Sequence, residues 1–243
     1  MVLGARVCAE ALRIGIIAAL PGELKPLVRG WEKLPTARGS GVRMWQRPER
    51  AGRDEVIAVC AGMGAAAARR AFAAAEFRGA MDLVISAGWA GALREECMAG
   101  ESYKAAEVID VLTGERFLSG EGTLRLVTTA HVADGDEKRR LAASYGAGLV
   151  DMEAAAVARL AQMRGIPMRC FKGVSDGLGA ELPDLNPFID VDGKMKMGKF
   201  LAYVAFRPGY WGALVQLGRN SARAARSMAD AMERFLVKNE RGE

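Results

Sequence analysis

Histidine and cysteine are scarce in this chain, and their scarcity removes whole classes of function. His131 is the single histidine, and Cys8, Cys60, Cys97 and Cys170 lie far apart with no C-x-x-C spacing. No zinc site or disulfide framework can be read from that pattern, and scattered thiols suit a reducing, cytoplasmic compartment. Long apolar runs are missing as well. The opening MVLGARVCAEALR holds no sustained hydrophobic stretch, and no later run reaches the roughly 20 apolar residues of a membrane span, so a soluble protein is expected. G-x-x-x-x-G-K-S/T is absent and GMGAAA falls short of G-x-G-x-x-G, so nucleoside triphosphates and NAD gain no support. Acidic excess is absent too: the net charge is +5 and the pI is near 9.2. That balance suits phosphate, nucleic acid or an anionic membrane surface without choosing among them. No basic stripe with interleaved aromatics accompanies it, so nucleic acid is not expected as a partner.

What is present is an alternation of strand-like and helix-like segments in 243 residues that are 51% hydrophobic and 26% charged. RIGIIAAL (13–20) is a β-branched run broken by Pro21 and Gly22, and ELKPLVRGW starts a helix that stalls near Pro26. MWQR (44–47) and EVIAVCAGMG (55–64) form a strand pair, and AAAARRAFAAAEF (65–77) is helical by composition. MDLVISAGWAGAL (81–93), ESYKAAEVIDV, LRLVTTAHV and PMRCFKGVSDGLG (167–179) read as strands, DEKRRLAASYG as a polar helix or loop, and VDMEAAAVARLAQMRG as a helix ended by Gly165. The expectation is one α/β domain over 1–243, with a central, mostly parallel or mixed twisted sheet covered by helices on both faces. Residues 1–12 read as an N-terminal extension.

In such sheets ligands collect beyond the carboxyl ends of the strands. The residues there are Glu23, the GMG turn with Gly62 and Gly64, the AGWAGA turn with Gly88 and Trp89, the Val132–Ala133 region and the SDG of Ser175 and Asp176. Each has an ordinary alternative. The glycines can simply close tight turns, SDG can cap a helix, and Glu23, Asp151 and Glu153 can be charges favoured in a helical first turn.

Taken together, IGIIAALPGELKPL, GMGAAAA, SAGWAGAL, VDMEAAAVARLA and FKGVSDG, in this order across residues 14–177, resemble the purine nucleoside phosphorylase superfamily, nearest its methylthioadenosine/S-adenosylhomocysteine nucleosidases. The resemblance implies cleavage of an N-glycosidic bond. It implies that Glu153 accepts hydrogen bonds from the ribose hydroxyls, with Met152 beneath the sugar, and that Asp176, oriented by Ser175, assists the departing purine. A carboxylate can accept from both hydroxyls of a cis-diol, and a leaving base needs an acid whose pKa is raised, here by burial. Glu23 matches the residue that handles the attacking water, and Asp151 is left a structural, dipole-facing acid. Lys172 stands where relatives carry an arginine beside the nucleophile and replaces its bidentate fork with a point charge. A homodimer is also implied.

Trp89 replaces a small hydroxyl residue of the relatives, and Val132 stands where they stack an aromatic on the purine, so stacking would fall to Trp89 or Phe171. The segment 191–220 carries lysines alternating with methionines, then Phe200, Tyr203, Phe206, Tyr210 and Trp211 around Pro208. It reads either as two core helices joined at RPG or as an amphipathic segment at a membrane interface. This segment and the Trp turn resemble hopanoid-associated phosphorylases of the same superfamily, which implies a lipid-linked nucleoside such as adenosylhopane and peripheral contact with the inner membrane face. SARAARSMADAMERFLV is a patterned helix expected to pack on the sheet or on a subunit partner. The resulting expectation is an enzyme that releases adenine from a 5′-substituted nucleoside, without metal or organic cofactor. Water is favoured as acceptor and inorganic phosphate is left open as co-substrate, with Lys172, Gly62 and Gly64 placed to meet it. A non-catalytic nucleoside- or lipid-binding module on the same fold is the competing reading.

Overall fold

The computed structural model describes residues 11–49, 53–180, 182–190 and 192–240. The expected N-terminal extension, except for its last two residues, and Cys8 lie outside them. Along the chain run β1 (Arg13–Ala18), α1 (Pro21–Leu24), β2 (Glu32–Leu34), β3 (Arg43–Gln46), β4 (Glu55–Cys60), α2 (Gly64–Phe77), β5 (Leu83–Ala92) and β6 (Ser102–Asp110). β7 (Arg116–Leu118), β8 (Leu124–Thr128), α3 (Gly135–Tyr145), β9 (Leu149–Asp151), α4 (Ala154–Met163), β10 (Met168–Asp176), α5 (Met197–Ala205) and α6 (Trp211–Glu240) follow.

All ten strands join one mixed sheet in the order β10-β6-β8-β9-β5-β1-β4-β3-β2, with β7 on β6. β10 also pairs in parallel with β5, so β10, β6, β8, β9 and β5 close on themselves like a small barrel and β1 to β4 extend as a wing. The two faces of β1 show why the apolar run folds this way. Ile14 and Ile16 pack toward Met228, Met232 and Leu236 of α6, and Ile17 faces the opposite cluster with Phe72 of α2. The period of two sends successive side chains to opposite faces, so a strand covered on both sides must be apolar throughout. Each large side chain buried in this way stabilises the fold by about 1.5–3 kcal/mol. α2 and α4 contribute mostly alanine to the core, Phe72 excepted among the large residues, which lets both helices approach the sheet closely.

Two helical expectations are corrected. VDMEAAAVARLAQMRG is not one helix: Leu149–Asp151 pairs with β8 and β5, and the helix begins only at Ala154, with Glu153 as its N-cap. The strand pairing of Leu149 and Val150 overrides the helical composition that follows it. In the 191–220 region α5 has no buried residue among those described, so it is not a core helix. The buried residues of α6 begin at Asn220, and from there the helix packs on the sheet as the terminal segment was expected to do.

Candidate active site

The carboxyl ends of β1, β5, β8, β9 and β10 open into a cavity of about 640 Å³, within the usual range for small-molecule sites. Its lining includes Glu23, Trp89, Val132, Ala133, Met152, Glu153, Ser175 and Asp176, which the sequence places as far as 153 positions apart (176 less 23). The closed strand path brings them together. Gly88, Phe171, Lys172, Gly62 and Gly64 are not part of the lining.

Glu23 is 3% exposed and its carboxylate is held by backbone: Oε2 accepts from the amides of Ala19 (2.8 Å) and Leu20 (2.7 Å), and Oε1 from that of Trp89 (2.8 Å). Of about four acceptor directions on a carboxylate, one remains for a ligand. Burial pushes its pKa up, against the lowering effect of the three amides and of Lys172. Gly88 backs this carboxylate, because a Cβ there would lie 3.0 Å from Oε1. The Trp89 indole lies over Gly22, where a Cβ would come within 2.9 Å of the ring, and its Nε1 donates to Ser221 O of α6 (3.0 Å).

Glu153 Oε1 accepts from the Gly64 amide at 2.6 Å. Burial first, and the neighbouring Asp151 charge second, push its pKa up to about 8. Asp151 is fully engaged in structure. Oδ1 accepts from Thr128 Oγ1 (2.6 Å), Oδ2 accepts from the Ala154 amide (2.9 Å), and Lys172 Nζ lies 2.8 Å from Oδ2 with both side chains at most 1% exposed. Lys172 therefore does not stand free beside the nucleophile; it is the buried counter-ion of Asp151, with Asp151 and Glu153 keeping its pKa raised against desolvation. Phe171, the next residue before it on β10, faces the other way and packs tilted against Phe235 of α6 with ring centroids 5.6 Å apart, so it does not reach the cavity. The glycine turn is likewise occupied: the Gly62 amide donates to Ala19 O, that of Met63 to Gly193 O and that of Gly64 to Glu153.

Asp176 has the expected partner and a second one: Ser175 Oγ donates to Oδ1 at 2.6 Å, and the Lys138 ammonium of α3 hydrogen-bonds Oδ2 and also donates to Gly177 O at 3.0 Å. Lys138 is 4% exposed. The sequence reading missed it, although Lys138, Leu141, Ala142 and Tyr145 recur at the spacing of one helix face, where a cation among apolar residues is a signal. Asn186 was missed as well. Its Oδ1 accepts from Val132 N (2.8 Å) and its Nδ2 donates to Val132 O (3.1 Å), which fixes the loop that would face the base. Leu182, Leu185, Met195, Phe200, Leu214 and Leu217 form an apolar wall opposite the carboxylates. Among the described residues no group of three or more His, Cys, Asp or Glu could hold a metal ion.

A sheet closed at one end, with carboxylates gathered at its strand ends beneath an apolar wall, defines an α/β protein with a nucleoside phosphorylase-like fold. The sequence profile of the phosphorylase superfamily matches residues 13–134 and 111–198, and the chain belongs to that superfamily. No match is found among curated protein sequences. Similar solved structures include 5′-methylthioadenosine nucleosidase of Arabidopsis thaliana, with TM-score 0.72 and 15% identity over 96% of this chain and 98% of that one. Futalosine hydrolase of Helicobacter pylori aligns with TM-score 0.69 and 15% identity over 94% and 98%. The 5′-methylthioadenosine/S-adenosylhomocysteine nucleosidase of Helicobacter pylori aligns with TM-score 0.67 and 15% identity over 95% and 100%.

Proposed function

We propose that the protein hydrolyses the N-glycosidic bond of an adenine nucleoside carrying an apolar 5′ substituent. The observation that carries water over phosphate is electrostatic. Three carboxyl groups, Glu23, Asp151 and Glu153, surround one buried ammonium, Lys172, which Asp151 already pairs, and Lys138 is paired with Asp176, so among the described residues the exposed Lys25 is the one lining ammonium left to meet a phosphate dianion. The Gly62–Gly64 amides that could cradle an anion are spent on protein acceptors. The relatives whose names state a nucleosidase or a hydrolase support the same acceptor.

In this reading Glu23, made a stronger base by burial, takes a proton from water as the oxygen attacks C1′. Glu153, once ionised, holds the ribose diol above Met152. As the C1′–N9 bond breaks, a proton passes from the Lys138 ammonium through the Asp176 carboxyl group to the departing adenine, balanced by the one Glu23 takes from water. The apolar wall receives the 5′ group, which supports a long-chain, adenosylhopane-like substrate over methylthioadenosine. No cofactor takes part; the scattered thiols suit work in the cytoplasm, and the resemblance implies a homodimer. Adenine release is the test, measured with methylthioadenosine, S-adenosylhomocysteine and a long-alkyl 5′-adenosyl ether, each with and without phosphate. Phosphate-independent release that Asp176→Asn abolishes is expected. Release only with phosphate overturns the choice of water, and no release from any substrate leaves a binding module.

A further inference from the structure

We propose that α5, the Pro208–Tyr210 corner and the first turns of α6 form a hairpin that docks on an anionic lipid bilayer, with the cavity wall on its inner side. α5 has no buried residue among those described, and residues 211–219 precede the first buried residue of α6. The pair therefore stands clear of the sheet. Its inner side chains, Phe200, Leu214 and Leu217, line the cavity. Its outer side carries Leu201 at 59% exposed, Phe206 at 86%, Trp211 at 53% and Val215 at 54%. A helix that is apolar on both sides suits a buried or a membrane environment, and here the outer side has no protein cover among the described residues.

Charge selects the occupant. No Asp or Glu occurs from residue 193 to 229, whereas Lys196, Lys199, Arg207 and Arg219, on or next to these helices, are all exposed. A two-fold contact through this patch with a second copy of the chain would set cations against cations, which like-charge repulsion opposes. Anionic headgroups around a hydrocarbon layer match both the rim and the centre. The mode is peripheral, because no helix among the described residues is long and apolar enough to cross a membrane. The role given to docking, entry of an apolar 5′ chain from the bilayer, rests on the function proposed above; the docking itself does not.

The test is co-sedimentation of the full chain with vesicles of phosphatidylcholine, alone or mixed with phosphatidylglycerol. Binding only to the anionic vesicles is expected, reversed by salt. Each cation removed should lower partitioning roughly five-fold, so Lys199→Gln with Arg207→Gln should lower it roughly 25-fold. Leu201→Ser with Phe206→Ser should also release the protein, and thermal melting shows whether each variant is folded, since all four side chains are exposed. Adenine release from a short-chain soluble nucleoside should not change in either variant, which separates a failure of docking from a failure of the catalytic reading. Absence of binding by the folded protein, equal binding of the variants, or a Phe206-dependent dimer in sedimentation velocity overturns the proposal.

Discussion

Replacing Lys172 by Met should expose how much of this site is held by one buried charge pair. The substitution leaves a side chain one atom shorter and removes the ammonium that lies 2.8 Å from Asp151, so that a fully buried carboxylate side chain remains. Breaking a buried pair from one side costs about 3–5 kcal/mol. Asp151 keeps donors from Thr128 and the Ala154 amide, which puts the expected loss near the lower end, about 3 kcal/mol. For a chain of this size that is a fall in Tm of roughly 6–12 °C. The double variant Lys172→Met with Asp151→Asn removes both charges and should recover about half or more of the loss, because well-packed neutral replacements of buried pairs are often tolerated. Differential scanning calorimetry on both proteins at one pH is the assay. A single variant as stable as the parent, or a double variant no better than the single one, would refute the account of Lys172 as a counter-ion.

Two further outcomes follow from the same cluster. Because the Glu153 pKa is raised from 4.5 to about 8, the unfolded chain gives up this proton first, so stability present below about pH 4.5 is lost as pH rises toward 8. Glu153→Gln should flatten that slope and melt above the parent at pH 8, and a parallel slope in the variant would count against the burial argument; nucleoside affinity in the parent should rise over the same range, as the ionised diol acceptor forms. Lys138→Met should lower kcat by about 100-fold, within the span of general-acid effects, with KM changed far less, and Lys138→Arg, which keeps the charge but cannot give up a proton, should restore little of the rate. An unchanged kcat would separate Lys138 from Asp176.

The longer strands, their order of appearance and the acids at their ends were legible in the sequence because they depend on local pattern, whereas the three-residue β2, β7 and β9 were not. An apolar run between turn residues is a strand wherever it lands, and Glu23, Glu153 and Asp176 sit in short motifs read without knowing their neighbours. Partnership was not legible. The apolar face of α3 marks Lys138 as turned inward, and an apolar strand does the same for Lys172, but nothing local names Asp176 and Asp151 as their partners. Those pairings exist because β10 bonds to both β5 and β6, and the closed path carries α3 and β9 against it. The same holds for Phe171, turned toward α6 by strand parity, and for α5, whose composition fits a core equally well. The sequence by itself determined which residues could act and where strands would end. Only the tertiary structure decided which charges meet, which amides remain free and which apolar surface is left uncovered, because those depend on contacts between segments far apart in the chain.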